Sequence, residues 1–146
     1  MPARTKVQDI MTKNLFTVTL DDTVYDVDEI MRNEDVRHVP VIDSGKLVGI
    51  VTERRVKEYI LRQIYEFDDG YDGATHNKIS DYRDLLEKNV RVIYPEDSVQ
   101  KAIELMAKYK TDCFPVVDWE HHLVGILSSV DVMLFMNKVL NDGLEI

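Results

Sequence analysis

The sequence contains a single cysteine among its 146 residues. One thiol excludes a disulfide framework within one chain and suits a reducing compartment. No run of about 18 apolar residues occurs, so no spanning helix is available. The first 13 residues are polar and lack the apolar stretch of an export signal, which points to the cytoplasm and away from membranes. Positive charge is also short. Lys and Arg number 18 against 27 Asp and Glu, a net charge of −9. That balance disfavours free sliding on nucleic acid, whose phosphates need a basic surface. An anionic ligand would have to be met by a local cluster of basic residues, and the acidity itself reads first as solubility. Catalytic signatures are missing too: no G-x-S-x-G, no P-loop, no zinc-ligand spacing and no dinucleotide fingerprint. What is present is 45% hydrophobic and 31% charged residues, the composition of a soluble globular chain. The length allows one ordinary domain or two small ones sharing a core.

An internal repeat is the strongest signal. With a shift of 75 residues, Asp22-Thr23-Val24 falls on Asp97-Ser98-Val99, Glu29 on Glu104 and Met31 on Met106. Pro40-Val41-Ile42-Asp43 falls on Pro115-Val116-Val117-Asp118. One extra residue in the second turn makes the shift 76, and Leu47-Val48-Gly49-Ile50 then matches Leu123-Val124-Gly125-Ile126 letter for letter. Two copies are too few for an open solenoid. Two similar halves packed face to face about a pseudo-twofold axis are the simpler expectation.

Each copy reads β-α-β-β-α, an α/β (α+β) pattern. Phe16, Val18 and Leu20 alternate with Thr17 and Thr19 as in a short strand. Asp22 or Thr23 offers a helix N-cap, and Val24, Val27, Ile30 and Met31 mark a buried helical stripe. His38–Ile42 and Lys46–Val51 form a hairpin around Asp43-Ser44-Gly45, with Pro40 suggesting an edge or bulge. A helix follows from about Glu53. In the second copy, Val90–Tyr94 is the strand and Val99, Ala102, Ile103 and Met106 are the stripe. Cys113–Val117 and Leu123–Leu127 make the hairpin, and a last helix starts near Ser129. Between the copies, Val56, Tyr59, Ile60, Ile64 and Phe67 extend one helix, and 68–73 reads as a loop. Val7–Met11 and, more weakly, 79–83 lead the chain into each copy. The expected boundaries are 7–60 for the first motif, 61–76 for the connection and 77–140 for the second.

The run of patterns V-x-D-I-M-T, D-[ST]-V, h-P-V-[IV]-D and L-V-G-I-[VL]-[TS] resembles a tandem pair of CBS domains, a Bateman module, over about Val7 to Leu140. The resemblance implies two CBS units packed through their sheets, two clefts between them, and frequent dimerisation. It also implies an adenosine-type ligand such as AMP, ADP, ATP or S-adenosylmethionine, with no cofactor required, and an unidentified regulated protein as partner. The repeat uses almost all the residues, so no catalytic domain is expected.

The site residues follow from that resemblance. In the family a Thr or Ser ends the last strand and an Asp stands three residues later. Here these are Ser128 and Asp131. A carboxylate accepts from both hydroxyls of a ribose, and the Ser hydroxyl can bond a phosphate or sugar oxygen. Helix capping is the competing reading of both residues. The adenine slot falls on Val92, Ile93, Cys113, Phe114 and Pro115, with ordinary core packing as the alternative. In the first copy Thr52 is present, but Arg55 stands where the carboxylate should be, and a guanidinium cannot accept from ribose. Arg37, His38, Thr52 and Arg55 are candidate phosphate contacts. The counterpart of Arg37 is Asp112, which would repel a phosphate. One competent cleft per chain is expected.

Two further groups carry competing readings. Glu120-His121-His122 sits at a hairpin tip without a third and fourth metal ligand, so no metal is expected. The stripes Val56, Tyr59, Ile60, Ile64 and Val132, Leu134, Phe135, Met136, Val139 form a dimer face by resemblance, with packing inside the chain as the other reading. The function expected is a non-enzymatic, ligand-sensing regulatory module. The alternative is a homo-oligomeric assembly module with empty clefts.

Overall fold

The structure is a computed structural model that describes residues 4–65, 78–81 and 85–143. Phe67 and the loop expected at 68–73 lie outside those residues. The elements, in order, are α1 (Val7–Ile10), α2 (Val24–Glu34), β1 (His38–Asp43), β2 (Lys46–Thr52), α3 (Glu53–Tyr65), a 3-10 turn (Ile79–Asp81), α4 (Val99–Tyr109), β3 (Cys113–Val117), β4 (Leu123–Ser128) and α5 (Ser129–Asp142). Each hairpin is a two-stranded antiparallel sheet, so the mixed α+β class read from the repeat holds. The chain divides into two compact units, one of Phe16–Val90 and one of Met1–Leu15 with Arg91–Ile146.

In the first-repeat unit, Thr23 caps α2. Its hydroxyl accepts from the Asp26 N–H at 3.1 Å, and the Asp26 carboxylate accepts from the Thr23 N–H at 2.9 Å. This reciprocal box satisfies two otherwise orphaned donors. Asp22 instead holds the turn before the helix, accepting from the Thr19 N–H at 2.8 Å. That turn limits the strand expected over Phe16–Leu20. It is reduced to one parallel bridge of Val18 with Val41, made by Val18 N–H to the Pro40 carbonyl (3.1 Å) and Ile42 N–H to the Val18 carbonyl (2.9 Å). Val90–Tyr94 shrinks in the same way to a bridge of Ile93 with Val116, because Asp97 turns the chain at Tyr94. The bulge suggested by Pro40 lies one residue on, between Val41 and Ile42. Ser44 and Gly45 close the first hairpin with φ of 52° and 81°, the two positive values of a I′ turn.

The core of this unit gathers Val24, Val27 and Met31 of α2, Val39, Val41 and Val51 of the hairpin, and Val56 and Tyr59 of α3. Ile79, Leu85 and Leu86 from downstream complete it. In the other unit, Ile93, Ala102, Phe114, Val116, Leu127 and Val132 are joined by Val7 from far upstream. The leaders are therefore exchanged: residues 5–12 pack in the unit of the second repeat, and residues 78–81 and 85–87 in the unit of the first.

Their hydrogen bonds are equivalent. Val7 N–H donates to the Asp97 carbonyl (2.8 Å) and Gln8 N–H to that of Pro95 (3.1 Å), while Ile79 N–H donates to Asp22 (2.9 Å) and Ser80 N–H to Leu20 (3.2 Å). Further on, Thr12 exchanges both backbone bonds with Ile126, and Glu87 does so with Ile50. Val7 thus matches Ile79, as the leader alignment has it, but Thr12 matches Glu87. The second leader has three more residues between these points, so Met11 corresponds to Leu86 and not to Arg83. The glycines of the repeated L-V-G-I are where the leaders pass. A Cβ on Gly49 would lie 2.5 Å from the Glu87 carbonyl oxygen, and one on Gly125 would lie 2.5 Å from the Met11 sulfur.

The helix stripes divide. Val56, Tyr59, Val132 and Phe135 are buried in their own units, which is the packing-inside-the-chain reading. Ile64 (65%) and Leu134 (60%) are exposed, with Leu61, Val130, Met133 and Leu140 beside them in sequence. Among the described residues, no helix is long and apolar enough to cross a membrane.

Candidate functional site

The hairpin and leader of the second-repeat unit bring its candidate residues together. Cys113 lies opposite Ser128 in the β3–β4 register, with Phe114 opposite Leu127 and Pro115 opposite Ile126. Ser128 ends β4 and caps α5: its hydroxyl accepts from the Asp131 N–H at 3.2 Å, and Asp131 Oδ2 accepts from the Ser128 N–H at 2.9 Å. The capping reading is therefore realised in the geometry. It does not use up the carboxylate, because an ionised carboxyl group has about four acceptor directions.

A third residue completes the arrangement. The Thr12 hydroxyl lies 3.0 Å from Asp131 Oδ1 and 3.2 Å from Oδ2, held there by the backbone pairing of Thr12 with Ile126. In the sequence Thr12 stands only as the last letter of V-x-D-I-M-T, with nothing to mark a role. Its partner is 119 residues away, and nothing local announces the pairing.

The adenine-slot residues differ in what they can offer. Ile93 and Phe114 are each 1% exposed and sit in the core; Pro115 and Cys113 are buried too, while Val92 is half-buried. Burial, then the negative charges of Asp112 and Asp131, push the Cys113 thiol up to about 12. At neutral pH it is a protonated filler and no nucleophile.

The remaining candidates lie in the first-repeat unit. His38 and Thr52 are register partners. The Arg37 carbonyl accepts from the Glu53 N–H at 2.9 Å, as that of Asp112 does from Ser129 at 2.8 Å. Thr52 Oγ1 accepts from the Arg55 N–H at 3.3 Å, so half of the capping box survives; the guanidinium cannot accept the return bond. Arg54 and Lys57 pair along α3 with Glu58 and Glu53 at 3.2 and 3.1 Å.

At the second hairpin tip, the backbone N–H groups of His122 and Glu120 donate to Asp118 and hold its carboxyl below the usual range. Among the described residues, no three His, Cys, Asp or Glu side chains gather as a metal site. Trp119, 81% exposed, stacks on Tyr94 with centroids 4.6 Å apart.

The repeat and the two hairpin-and-helix units agree with a comparison against known families. The model of the CBS domain matches twice, at residues 7–62 and 82–138. The chain belongs to the CBS domain family. Among solved structures, this CBS pair is similar to a protein described as an acetoin utilization protein (AcuB) from Vibrio cholerae, at 26% identity and a TM-score of 0.79, covering 99% of this chain and 100% of that one. It is similar to the CBS domain pair of protein MJ0100 in complex with 5′-methylthioadenosine and S-adenosyl-L-methionine (26%, TM-score 0.74, 93% and 99% covered). It is also similar to CBSX2 in complex with AMP (25%, 0.76, 92% and 98%). Curated relatives include a homoserine O-acetyltransferase of Methanosarcina acetivorans, 29% identical over 90% of this chain and 22% of that protein. Another is an inosine-5′-monophosphate dehydrogenase of Methanocaldococcus jannaschii, 30% identical over 88% and 23%. The chain thus spans under a quarter of the length of these enzymes.

Proposed function

We propose that this CBS pair is a non-catalytic regulatory module that senses an adenosine-containing ligand on its second-repeat unit and passes a conformational change to a protein partner. The observation that carries the reading is the Asp131 carboxylate, anchored by Ser128 and Thr12 with acceptor capacity left for a vicinal diol. The complexes of CBSX2 with AMP and of MJ0100 with two adenosine compounds support the ligand class. Val92 and the backbone around Cys113, Phe114 and Pro115 are the adenine side of the site. A ligand can move the module only by its differential affinity for two conformations.

Calorimetry with AMP, ADP, ATP and S-adenosylmethionine tests this, comparing the native chain with Asp131→Asn, which retains an acceptor for the helix cap. One site per chain is expected. Removing a charged hydrogen-bond partner costs about 1.5–3 kcal/mol, an affinity loss of roughly 10- to 150-fold. Absence of binding by all four at millimolar concentration would overturn the reading.

A second reading, homodimeric assembly, is favoured by the exposed Leu61 and Ile64 of α3 and the exposed Val130, Met133, Leu134 and Leu140 of α5. Surface of that kind marks contact sites. Sedimentation of Ile64→Asp should then show monomers where the native chain sediments as a dimer.

A further inference from the structure

The tip of the second hairpin carries a feature that the first lacks. Trp119 is the sole tryptophan of the chain and stacks on Tyr94 of the same unit with ring planes 18° apart, yet it stays 81% exposed. The phenol ring covers one face of the indole and leaves the other open. In the first copy the matching positions are Thr19 and the turn at Ser44-Gly45, so the aromatic pair belongs to the second copy. Leaving so large a ring in water forgoes the burial that would stabilise the chain, and aromatic anchors of this kind are enriched where partners dock. The surroundings are acidic. Asp118 and Glu120 flank Trp119, and the turn from Tyr94 to Asp97 carries the exposed Glu96. His122 Nδ1 lies 3.4 Å from Asp118 and 3.5 Å from Glu120, and Lys101 pairs with Asp97 at 3.1 Å. Glu96 forms no ion pair among the described residues. Arg91 and Lys108 lie over Tyr109, 3.4 and 5.3 Å from its centroid, and no described cation lies over Trp119.

We infer that the open face of Trp119 and the carboxylates beside it form a docking surface for a basic segment of a protein partner, with an arginine side chain stacked on the indole. Tryptophan is the best of the aromatic rings for a cation. A planar guanidinium can stack on it and still donate to neighbouring carboxylates, whereas lysine brings a point charge only. A nucleic-acid base would also stack on an open indole, but its phosphates would meet Asp118, Glu120 and Glu96. The surface lies at the far end of the hairpin from Ser128, since Cys113 to Val117 spans about 13 Å of strand. It therefore goes beyond the adenosine reading and stands whether or not Asp131 holds a ligand.

With a single tryptophan in the chain, intrinsic fluorescence reports this surface directly. The full chain is titrated with a synthetic Gly-Arg octapeptide and with its Gly-Lys analogue at low salt. A saturable change in emission below millimolar peptide is expected, with weaker binding of the Gly-Lys peptide. Calorimetry on Trp119→Ala should show an affinity loss of roughly threefold to thirtyfold. Glu96→Gln combined with Glu120→Gln should weaken binding about threefold. Glu29→Gln combined with Glu34→Gln removes as much charge from α2 and should leave binding within about twofold. No change in emission, equal affinity for the two peptides, equal affinity in a cooperatively melting Trp119→Ala, or equal losses in the two double variants would each overturn the inference. The native titrations decide it should Trp119→Ala not fold. Quenching by oligo(dT) but not by the Gly-Arg peptide would give the surface to nucleic acid, and self-association lost in Trp119→Ala would give it to a second copy; either result overturns the inference.

Discussion

The two helices that follow the hairpins start alike and part at one residue. Both are capped by the last strand residue, yet α5 closes a reciprocal box through Asp131 and α3 cannot, because Arg55 has no acceptor to return. The leaders show the same kind of divergence: Met11 lays a flexible thioether over Gly125, whereas the leader over Gly49 presents the Glu87 backbone carbonyl. Two copies of one pattern thus retain the fold through apolar positions and glycines while the polar positions separate their chemistry.

The comparison can be broken most forcefully in the cores. Phe114 and Val39 are equivalent and fully buried. Phe114→Ala should destabilise by about 3–5 kcal/mol and Val39→Ala by about 2 kcal/mol, read from urea unfolding midpoints. Equal losses would mean that the two cores relax differently around the space left. Next come the glycines. Gly49→Ala should cost about 1–3 kcal/mol, because a backbone oxygen must move, and Gly125→Ala should cost less, because a methionine side chain can yield. The reverse order in unfolding experiments would show that the leaders are held with a different stiffness. Caps follow: Ser128→Ala should lose about 1–2 kcal/mol and Thr52→Ala roughly 0.5–1 kcal/mol, since only Ser128 belongs to a complete box.

At neutral pH the Cys113 thiol contributes no slope, and its effect is confined to alkaline pH. Cys113 replaces the His38 of the first unit, and its thiol is pushed from 9.0 up to about 12. A raised value favours the neutral thiol in the folded state. That contribution is complete below the unfolded value near 9 and is lost as pH rises toward 12. Stability should decline over that alkaline range in the native chain and less steeply in Cys113→Ala, followed by thermal melts at stepped pH. The native thiol should also resist alkylation at pH 7 until the chain is unfolded.

Much of this was legible in the sequence. The 75-residue shift pairs Val39 with Phe114, the 76-residue shift pairs Thr52 with Ser128, and helical spacing finds the α2 and α4 stripes, because these signals are local and periodic. The strands over Phe16–Leu20 and Val90–Tyr94 were over-read: alternation cannot reveal that Asp22 and Asp97 fold back on Thr19 and Tyr94. Of the site, Ser128 and Asp131 were legible and Thr12 was not. A hydroxyl meeting a carboxylate 119 residues away leaves no trace in spacing. The exchange of leaders was hidden for the same reason, and three additional residues in the second leader obscured the match of Met11 with Leu86. Ile93 and Phe114 show the limit of an apolar pattern, which marks a residue as buried without saying whether a ligand or the core covers it.

The exchanged leaders also impose an order on synthesis. Among the described residues, the buried core of the first-repeat unit lies between Val18 and Leu86, so that core can gather while the rest of the chain is still being made. Val7 and Thr12 are made earlier than any of it, yet must wait for Asp97, Ile126 and Asp131 to emerge. Closing that longer loop costs roughly 1 kcal/mol more than closing Ile50 onto Glu87. Residues 7–12 are thus among the last of this chain to find their place, and a bulky insertion close to Thr5 would burden the unit that carries Asp131 while sparing the one that carries Arg55.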